Sequence, residues 1–217
     1  MRAIIFANGD LGDPVWARRQ FQPGDLIVCA DGGLRHARTL GLSPHAIVGD
    51  LDSLDIDERE QLATANCQLL AYPTRKNETD LELALLYAVE RGATEITVLG
   101  AVGDRLDQTL ANVLLLAHPA LADVKVRLVV GATTAQAVRG GQECLLHGVS
   151  GDTVSLLPLR GNVTGITTTG LEYGLDNGTL YFALARGVSN VMTAAEARLR
   201  VGEGVLLVIH SHQTCET

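Results

Sequence analysis

Asp50 and Asp52 stand two apart in the stretch AIVGDLDSLD, residues 46–55; Asp55 closes it and Asp57 follows just beyond. Neighbouring carboxylates repel one another unless a hard divalent cation sits between them. In extended chain, residues i and i+2 face the same side, so Asp50 and Asp52 would aim at one spot. The rival reading is plain: GDLDS can be an Asx-turn leading into a helix. The stretch alone leaves both open. Asp80 could add a third oxygen. Few protein oxygens, with water and phosphate completing the shell, is the pattern of Mg²⁺. Lys76 and Arg105 could then hold phosphate oxygens, Arg105 as a planar fork. Gly32, Gly33 and Gly100 would let backbone approach a ligand closely.

The elements that must position these residues are legible from apolar patterning. Short, continuously apolar, β-branched runs fall at 3–7, 26–30, 46–48, 68–72, 95–100 and 124–130. Such runs fit strands covered on both faces. Helical segments lie between them, at about 12–20, 34–41, 56–65, 79–92 and 106–117. The fourth has a T-x-x-E capping box, Thr79 with Glu82, and a Gly92 stop. This alternation predicts an α/β domain with a mostly parallel sheet and helices on both faces.

In such a sheet, ligands collect beyond the carboxyl ends of the strands. The loops there read Asn8-Gly9-Asp10, Asp31-Gly32-Gly33, GDLDS (49–53), TRKNETD (74–80) and GAVGDRLDQ (100–108). Loops at the opposite edge, GLSP (41–44) and RGA (91–93), are ordinary. Taken singly, these residues have bland readings. Glu82 reads as a cap, Asp104 and Asp107 as helix-dipole partners, Lys76 as a solvated charge, and Trp16 as packing. No histidine receives a role. Five loops at one edge with compatible chemistry shift the balance towards a phosphate site.

After about residue 131 the texture changes. VGATTAQAVRGGQ (130–142) reads as a boundary segment. Beyond it come short glycine-broken runs: ECLLHGV, DTVSLLPL, VTGITT, LEYGL, TLYFALA, ARLRV and VLLVIHS. Asp176-Asn177-Gly178 reads as a hairpin turn and Glu203-Gly204 as another. The expected organisation is an α/β domain over 1–135 and a small all-β sandwich or barrel over 136–217.

The 217 residues are 47% hydrophobic, enough for a sizeable core. A net charge of −8 argues against a protein that tracks nucleic-acid backbone. It leaves a nucleotide substrate open, because a metal can stand between acidic protein and phosphate. The apolar run Ala3–Ala7 is too short for a secretory core, and no run approaches a membrane span. Cys29, Cys67, Cys144 and Cys215 are scattered without a CxxC pair, which predicts a reducing cytoplasm.

CADGG (29–33), GDLDS (49–53), KNETDLE (76–82), GAVGDRLDQ (100–108), SLLPL (155–159), TTTGLEYGL (167–175) and RGVSN (186–190) occur in one order along nearly the whole chain. In these motifs the chain resembles the thiamine pyrophosphokinase family. The resemblance implies Mg²⁺-dependent transfer of a pyrophosphoryl group from ATP to the hydroxyethyl oxygen of thiamine, giving thiamine diphosphate and AMP. It implies a homodimer with active sites shared between the α/β domain of one chain and the β domain of the other. By position, Asp50, Asp52 and Asp80 look like the metal ligands and catalytic carboxylates. Asn8, Asp31, Gly32, Gly33, Lys76, Arg105, Asp107 and Gln108 look like ATP and phosphate handlers, and Ser189 and Asn190 like thiamine contacts. Two residues depart from the family pattern, and a stacking aromatic is missing. Asn77 replaces an aspartate, Asp104 replaces a glycine, and Val191 and Met192 follow Asn190 where some members stack an aromatic ring. Two alternatives compete: a pyrophosphokinase acting on a hydroxymethylpterin, and a catalytically silent nucleotide- or thiamine-binding module. A pterin would need more stacking surface than 4% aromatics offer, and a silent binder has little need of Asp50, Asp52 and Asp80 together.

Overall fold

The computed structural model describes residues 1–52 and 54–213. Ser53, the last residue of GDLDS, and Cys215 lie outside the described residues. The chain divides into two compact units, Met1–Gly131 and one that begins at Ala132.

In the first unit six strands pair in parallel: β1 (Arg2–Phe6), β2 (Leu26–Ala30), β3 (Ala46–Gly49), β4 (Gln68–Ala71), β5 (Glu95–Leu99) and β6 (Lys125–Val130). Their spatial order is β4-β3-β2-β1-β5-β6. Every residue of LIVCA in β2 is buried, as a strand covered on both faces must be. The helices are α1 (Pro14–Arg18), α2 (Leu34–Thr39), α3 (Ile56–Thr64), α4 (Asp80–Glu90) and α5 (Leu106–Leu115). Ile4, Phe6, Ile27, Cys29 and Ile47 centre one core, into which Leu51 and Leu54 of the GDLDS region also pack. The chain builds outward from β1 to β4, then crosses back to β5 on the other side of β1. The order therefore reverses at β1, and a crevice at the carboxyl ends follows from that topology.

The caps differ from expectation. Thr79 accepts from the Glu82 backbone N–H at 3.1 Å, which is half of the predicted box. The Glu82 carboxylate instead lies 3.7 Å from His118 Nε2. A complete capping box starts α3: Asp55 accepts from the Glu58 N–H at 2.7 Å, and Glu58 accepts from the Asp55 N–H at 3.2 Å.

The second unit is antiparallel throughout its described pairings. Its strands are β7 (Thr133–Arg139), β8 (Glu143–His147), β9 (Thr153–Thr169), β10 (Gly178–Leu180), β11 (Asn190–Val191), β12 (Glu196–Arg200) and β13 (Glu203–Ser211). β7 thus occupies the stretch expected to be a boundary segment. β9 has 17 residues and joins two runs read separately, VSLLPL and VTGITT. Its first part pairs with β13. The register slips between Pro158 and Thr164; β10 pairs with β9 at Val163 and Ile166, and β12 pairs with it at Thr167–Thr169. Slips of this kind let one strand pass between sheets, and a bulge tolerates proline. LEYGL is not a strand; it contributes one bridge, Leu171 to Met192. TLYFALA forms strand only to Leu180. Asn177 has φ +48 in the turn before β10. β12 and β13 flank the turn near Glu203-Gly204, but β12 pairs with β8 and β9 while β13 pairs with β7 and β9. Val154, Leu156, Ile166, Met192 and Leu206 form a separate core. Among the described residues no helix is long and apolar enough to cross a membrane.

Candidate active site

The carboxylates of Asp50 and Asp52 do converge, but not through extended chain. Leu51 between them is left-handed, φ +58, and the Asp52 N–H donates to Asp50 Oδ1 at 3.2 Å. Leucine rarely takes this conformation, so the surroundings must impose it. The Leu51 side chain is buried in the first core. Its carbonyl, and that of Leu54 at 3.1 Å, accept from the Arg59 guanidinium of α3. The turn is therefore pinned from inside by packing and from outside by Arg59.

The third member of the cluster is Asp31, not Asp80. Carboxylate oxygens of Asp31, Asp50 and Asp52 all lie within 4.8 Å of one another. Asp31 also has positive φ, +41. A Cβ at Gly49 would stand 3.0 Å from the Asp31 Cβ, so only glycine at the end of β3 lets the end of β2 come so near. The Asp52 backbone N–H, with the Thr74 hydroxyl and the Lys76 charge, holds the Asp50 carboxyl below the ordinary carboxylate range. Asp50 is thus ionised at neutral pH.

A cavity of about 940 Å³ opens at this edge. Among the sequence candidates, Asn8, Asp31, Asp50, Lys76, Asp80, Arg105 and Gln108 line it. So do the two departures, Asn77 and Asp104. Lys76 Nζ lies 2.8 Å from Asp80 Oδ1. That oxygen is buried, and the Lys76 ammonium is the cation that faces it. A buried, ion-paired carboxylate in a cavity shared with two clustered aspartates suits a divalent cation and phosphate. The donor set therefore fits a hard metal ion.

Four candidates of the first unit fall outside the cavity lining. Asp52 belongs to the carboxylate cluster at its exposed side. Asp107 grips Arg105 instead of facing the cavity, with Nε–Oδ1 2.9 Å and Nη2–Oδ2 2.6 Å. Arg105 holds the Asp107 pKa down to about 2. Gly32 and Gly33 serve chain packing. A Cβ at Gly32 would strike the Asn8 side chain, and one at Gly33 would strike the Phe6 carbonyl. Gly100 likewise makes room for the Ala7 carbonyl, 2.6 Å from where its Cβ would be.

Ser189 and Asn190 lie in the second unit. Ser189 is exposed, has φ +60, and donates its N–H to Ser155 Oγ at 3.1 Å. Asn190 is buried, and its amide is committed to backbone. Oδ1 accepts from the N–H of Tyr173 at 3.0 Å and of Val191 at 2.9 Å, while Nδ2 donates to the Tyr173 carbonyl at 2.8 Å. The Tyr173 ring that this clip positions is 68% exposed. Met192, where a stacking aromatic was looked for, is fully buried in the core.

Sequence reasoning missed Arg35 and His36, which line the cavity from α2. Arg35 Nη2 donates to the carbonyls of Asn8 at 2.7 Å and Gly9 at 2.8 Å. His36 Nε2 lies 2.9 Å from the same Gly9 carbonyl, which can only accept, so the ring donates. Burial lowers the His36 pKa, leaving the ring neutral at pH 7. Their signal was position: both follow directly on Asp31-Gly32-Gly33. Arg59 had no such signal, because its contacts depend on how α3 folds back on the turn.

Carboxylates, cations and amide donors gathered beyond the carboxyl ends of a parallel sheet define a phosphate-handling α/β enzyme, here with an antiparallel β unit after it. The family described as "Thiamin pyrophosphokinase, catalytic domain" matches residues 17–129, and "Thiamin pyrophosphokinase, vitamin B1 binding domain" matches residues 144–206. The chain belongs to the thiamin pyrophosphokinase family. It is 28% identical over 186 residues to a thiamine pyrophosphokinase of Bacillus subtilis, covering 86% of this chain and 87% of that one. A crystal structure of thiamine pyrophosphokinase from Bacillus subtilis superposes with TM-score 0.86 and 25% identity, covering 99% of this chain and 100% of that one. One from Geobacillus thermodenitrificans gives TM-score 0.81 and 26% identity, with 99% of each chain covered. Neither the pterin pyrophosphokinase nor the silent binding module is favoured by these likenesses.

Proposed function

We propose that this chain transfers a pyrophosphoryl group from ATP to the hydroxyethyl oxygen of thiamine, giving thiamine diphosphate and AMP. The observation that carries the reading is the convergence of Asp31, Asp50 and Asp52 beside a cavity that Lys76, Asp80 and Arg105 also line. In the reaction the thiamine hydroxyl oxygen gives up its proton to solvent and bonds to the β-phosphorus, and the bond from that phosphorus to the α–β bridging oxygen breaks, that oxygen leaving with AMP. Transfer of this kind depends mainly on positioning and on balancing charge at the phosphates. Asp50 and Asp52, joined by Asp31, would hold Mg²⁺, with the Lys76-paired carboxylate of Asp80 as a further donor. The ion, when bound, supplies positive charge to the phosphate oxygens. Lys76 and Arg105 orient those oxygens, Arg105 being held in place by Asp107. Asn8 and Gln108 offer amides to the nucleotide. Arg35 and His36 brace the Asn8-Gly9 backbone from below.

In this reading residues 1–135 handle ATP and metal, and residues 136–217 hold thiamine. Ser189 faces the vitamin, and Asn190 acts by fixing Tyr173. Two copies assemble as a homodimer with shared sites, in the cytoplasm, without nucleic acid or membrane as partner. The scattered cysteines support the compartment, and the charge of −8 supports the absence of nucleic acid.

The test is incubation of the purified protein with ATP, thiamine and Mg²⁺, reading AMP and thiamine diphosphate by chromatography against a metal-free control. Equal amounts of both products, only with metal, are expected. If neither product forms, the proposal fails.

A further inference from the structure

A second polar cluster lies in the β unit, built from residues to which the reaction gives no role. Asp152 immediately precedes β9 and is fully buried. His210 lies near the end of β13 and is buried too; His212 follows two residues later and keeps 32% of its side chain exposed. The spacing of two turns both rings the same way. His210 Nε2 and His212 Nδ1 each stand 3.0 Å from Asp152 Oδ2, and the ring centroids are 4.2 Å apart.

We propose that Asp152, His210 and His212 form a binding site for a divalent transition-metal ion of the zinc class. One oxygen and two imidazole nitrogens, all within 4.8 Å of one another, make a two-histidine, one-carboxylate set. An ion bound at about 2.0–2.2 Å holds neighbouring ligand atoms roughly 3 to 3.5 Å apart, and the two observed nitrogen–oxygen separations fall there. Imidazole selects zinc, copper, nickel or iron over magnesium, so this site differs in chemistry from the all-carboxylate cluster. Three protein ligands leave a fourth position, and the exposed side of His212 gives entry. The carboxylate is supported from outside the ligand set. The Gln213 N–H donates to Oδ1 at 3.0 Å and the Val149 N–H to Oδ2 at 3.2 Å. Outer partners of this type orient metal ligands. Both imidazole nitrogens and the Val149 N–H thus converge on the single oxygen Oδ2. Gly148 lies directly over the cluster, where a Cβ would strike Asp152 Oδ2. The bound ion would tie the end of β13 to the start of β9.

The full-length protein, stripped with chelator, is titrated with Zn²⁺ by calorimetry and with Co²⁺ by visible absorption. We expect one equivalent of Zn²⁺ bound, absorption bands of imidazole-ligated cobalt, and a raised Tm. His212→Ala, chosen because the side chain is partly exposed, should stay folded by circular dichroism and weaken binding at least roughly tenfold. Asp52→Asn, which disables the carboxylate cluster, should leave the His212-dependent Zn²⁺ equivalent and its cobalt bands unchanged. Absence of binding, binding untouched by His212→Ala, or binding lost with Asp52→Asn would each overturn the site.

Discussion

Charge at Asp52 can be removed without disturbing packing, because the side chain is exposed while its neighbour Leu51 is buried. Asp52→Asn should therefore leave circular dichroism and Tm unchanged and lower kcat by at least about a hundredfold, the scale of losing a group that balances transition-state charge. Near-normal turnover would remove the carboxylate cluster from the reaction. The adjacent pair Ser189 and Asn190 separate in the opposite way. Ser189 is exposed, so Ser189→Ala should raise the thiamine KM more than the ATP KM with little change in stability. Asn190 is buried and bridges both backbone groups of Tyr173. Asn190→Ala leaves those groups short of partners and should cost about 1–3 kcal/mol in urea unfolding. If Ser189→Ala shifts both KM values equally, the serine does not address thiamine.

At the scale of elements, α3 is the one whose contribution to the site runs entirely through backbone. It buries no residue fully and is held by its Asp55–Glu58 cap, yet its Arg59 clasps the carbonyls of Leu51 and Leu54. Both carbonyls can turn to water if the guanidinium is lost, so stability should barely move in Arg59→Ala. The left-handed turn loses its outer pin, and turnover should fall roughly 10- to 100-fold with a raised metal requirement, as for other supports of metal ligands. A lysine at this position, able to reach one carbonyl only, should recover part of the loss. Unchanged metal dependence in Arg59→Ala would show that Leu51 packing alone sets the turn. The strands and helices of the first unit were legible because continuous apolar runs and caps are local signals. The identity of the third clustered carboxylate was not. Sequence reasoning placed Asp80 third and Asp31 with the nucleotide; the approach of the β2 and β3 ends, permitted by Gly49, is what brings Asp31 to Asp50 and Asp52. The glycines of DGG looked like room for a ligand and proved to be room for Asn8 and Phe6, a distinction that needs the neighbouring strand. In the second unit glycines broke the pattern into short runs, while tertiary pairing joined two of them into β9 and left LEYGL outside it. The Asp152–His210–His212 cluster joins residues 58 and 60 apart, beyond any local signal.

The molecule as a whole should lose stability on mild acidification through His36. Its pKa in the folded state lies below the ordinary histidine value because the ring is buried. The unfolded chain therefore takes up the proton first. Stability from the neutral ring is complete above about pH 6.5 and is lost as pH falls through that value towards the lowered one. The Tm of the native chain should drop more between about pH 7.5 and about pH 5.5 than that of His36→Gln, which cannot titrate there; equal drops would mean that His36 does not govern this window. The proposed pairing of two copies makes a sharper demand. Each unit has its own core, so a lesion in one leaves the other able to fold. If each active site joins the first unit of one copy to the second unit of its partner, Asp52→Asn and Ser189→Ala chains damage different halves of a site. In a mixed dimer both lesions then fall on one site, and the other site is intact. Random reassociation makes about half the dimers mixed, so about a quarter of all sites should be native. Light scattering should show dimers. After co-refolding at limiting thiamine, the mixture should exceed the mean of the two variants measured apart. Activity equal to that mean would place each site within a single chain, since every mixed dimer would then hold one copy of each damaged site and no intact one.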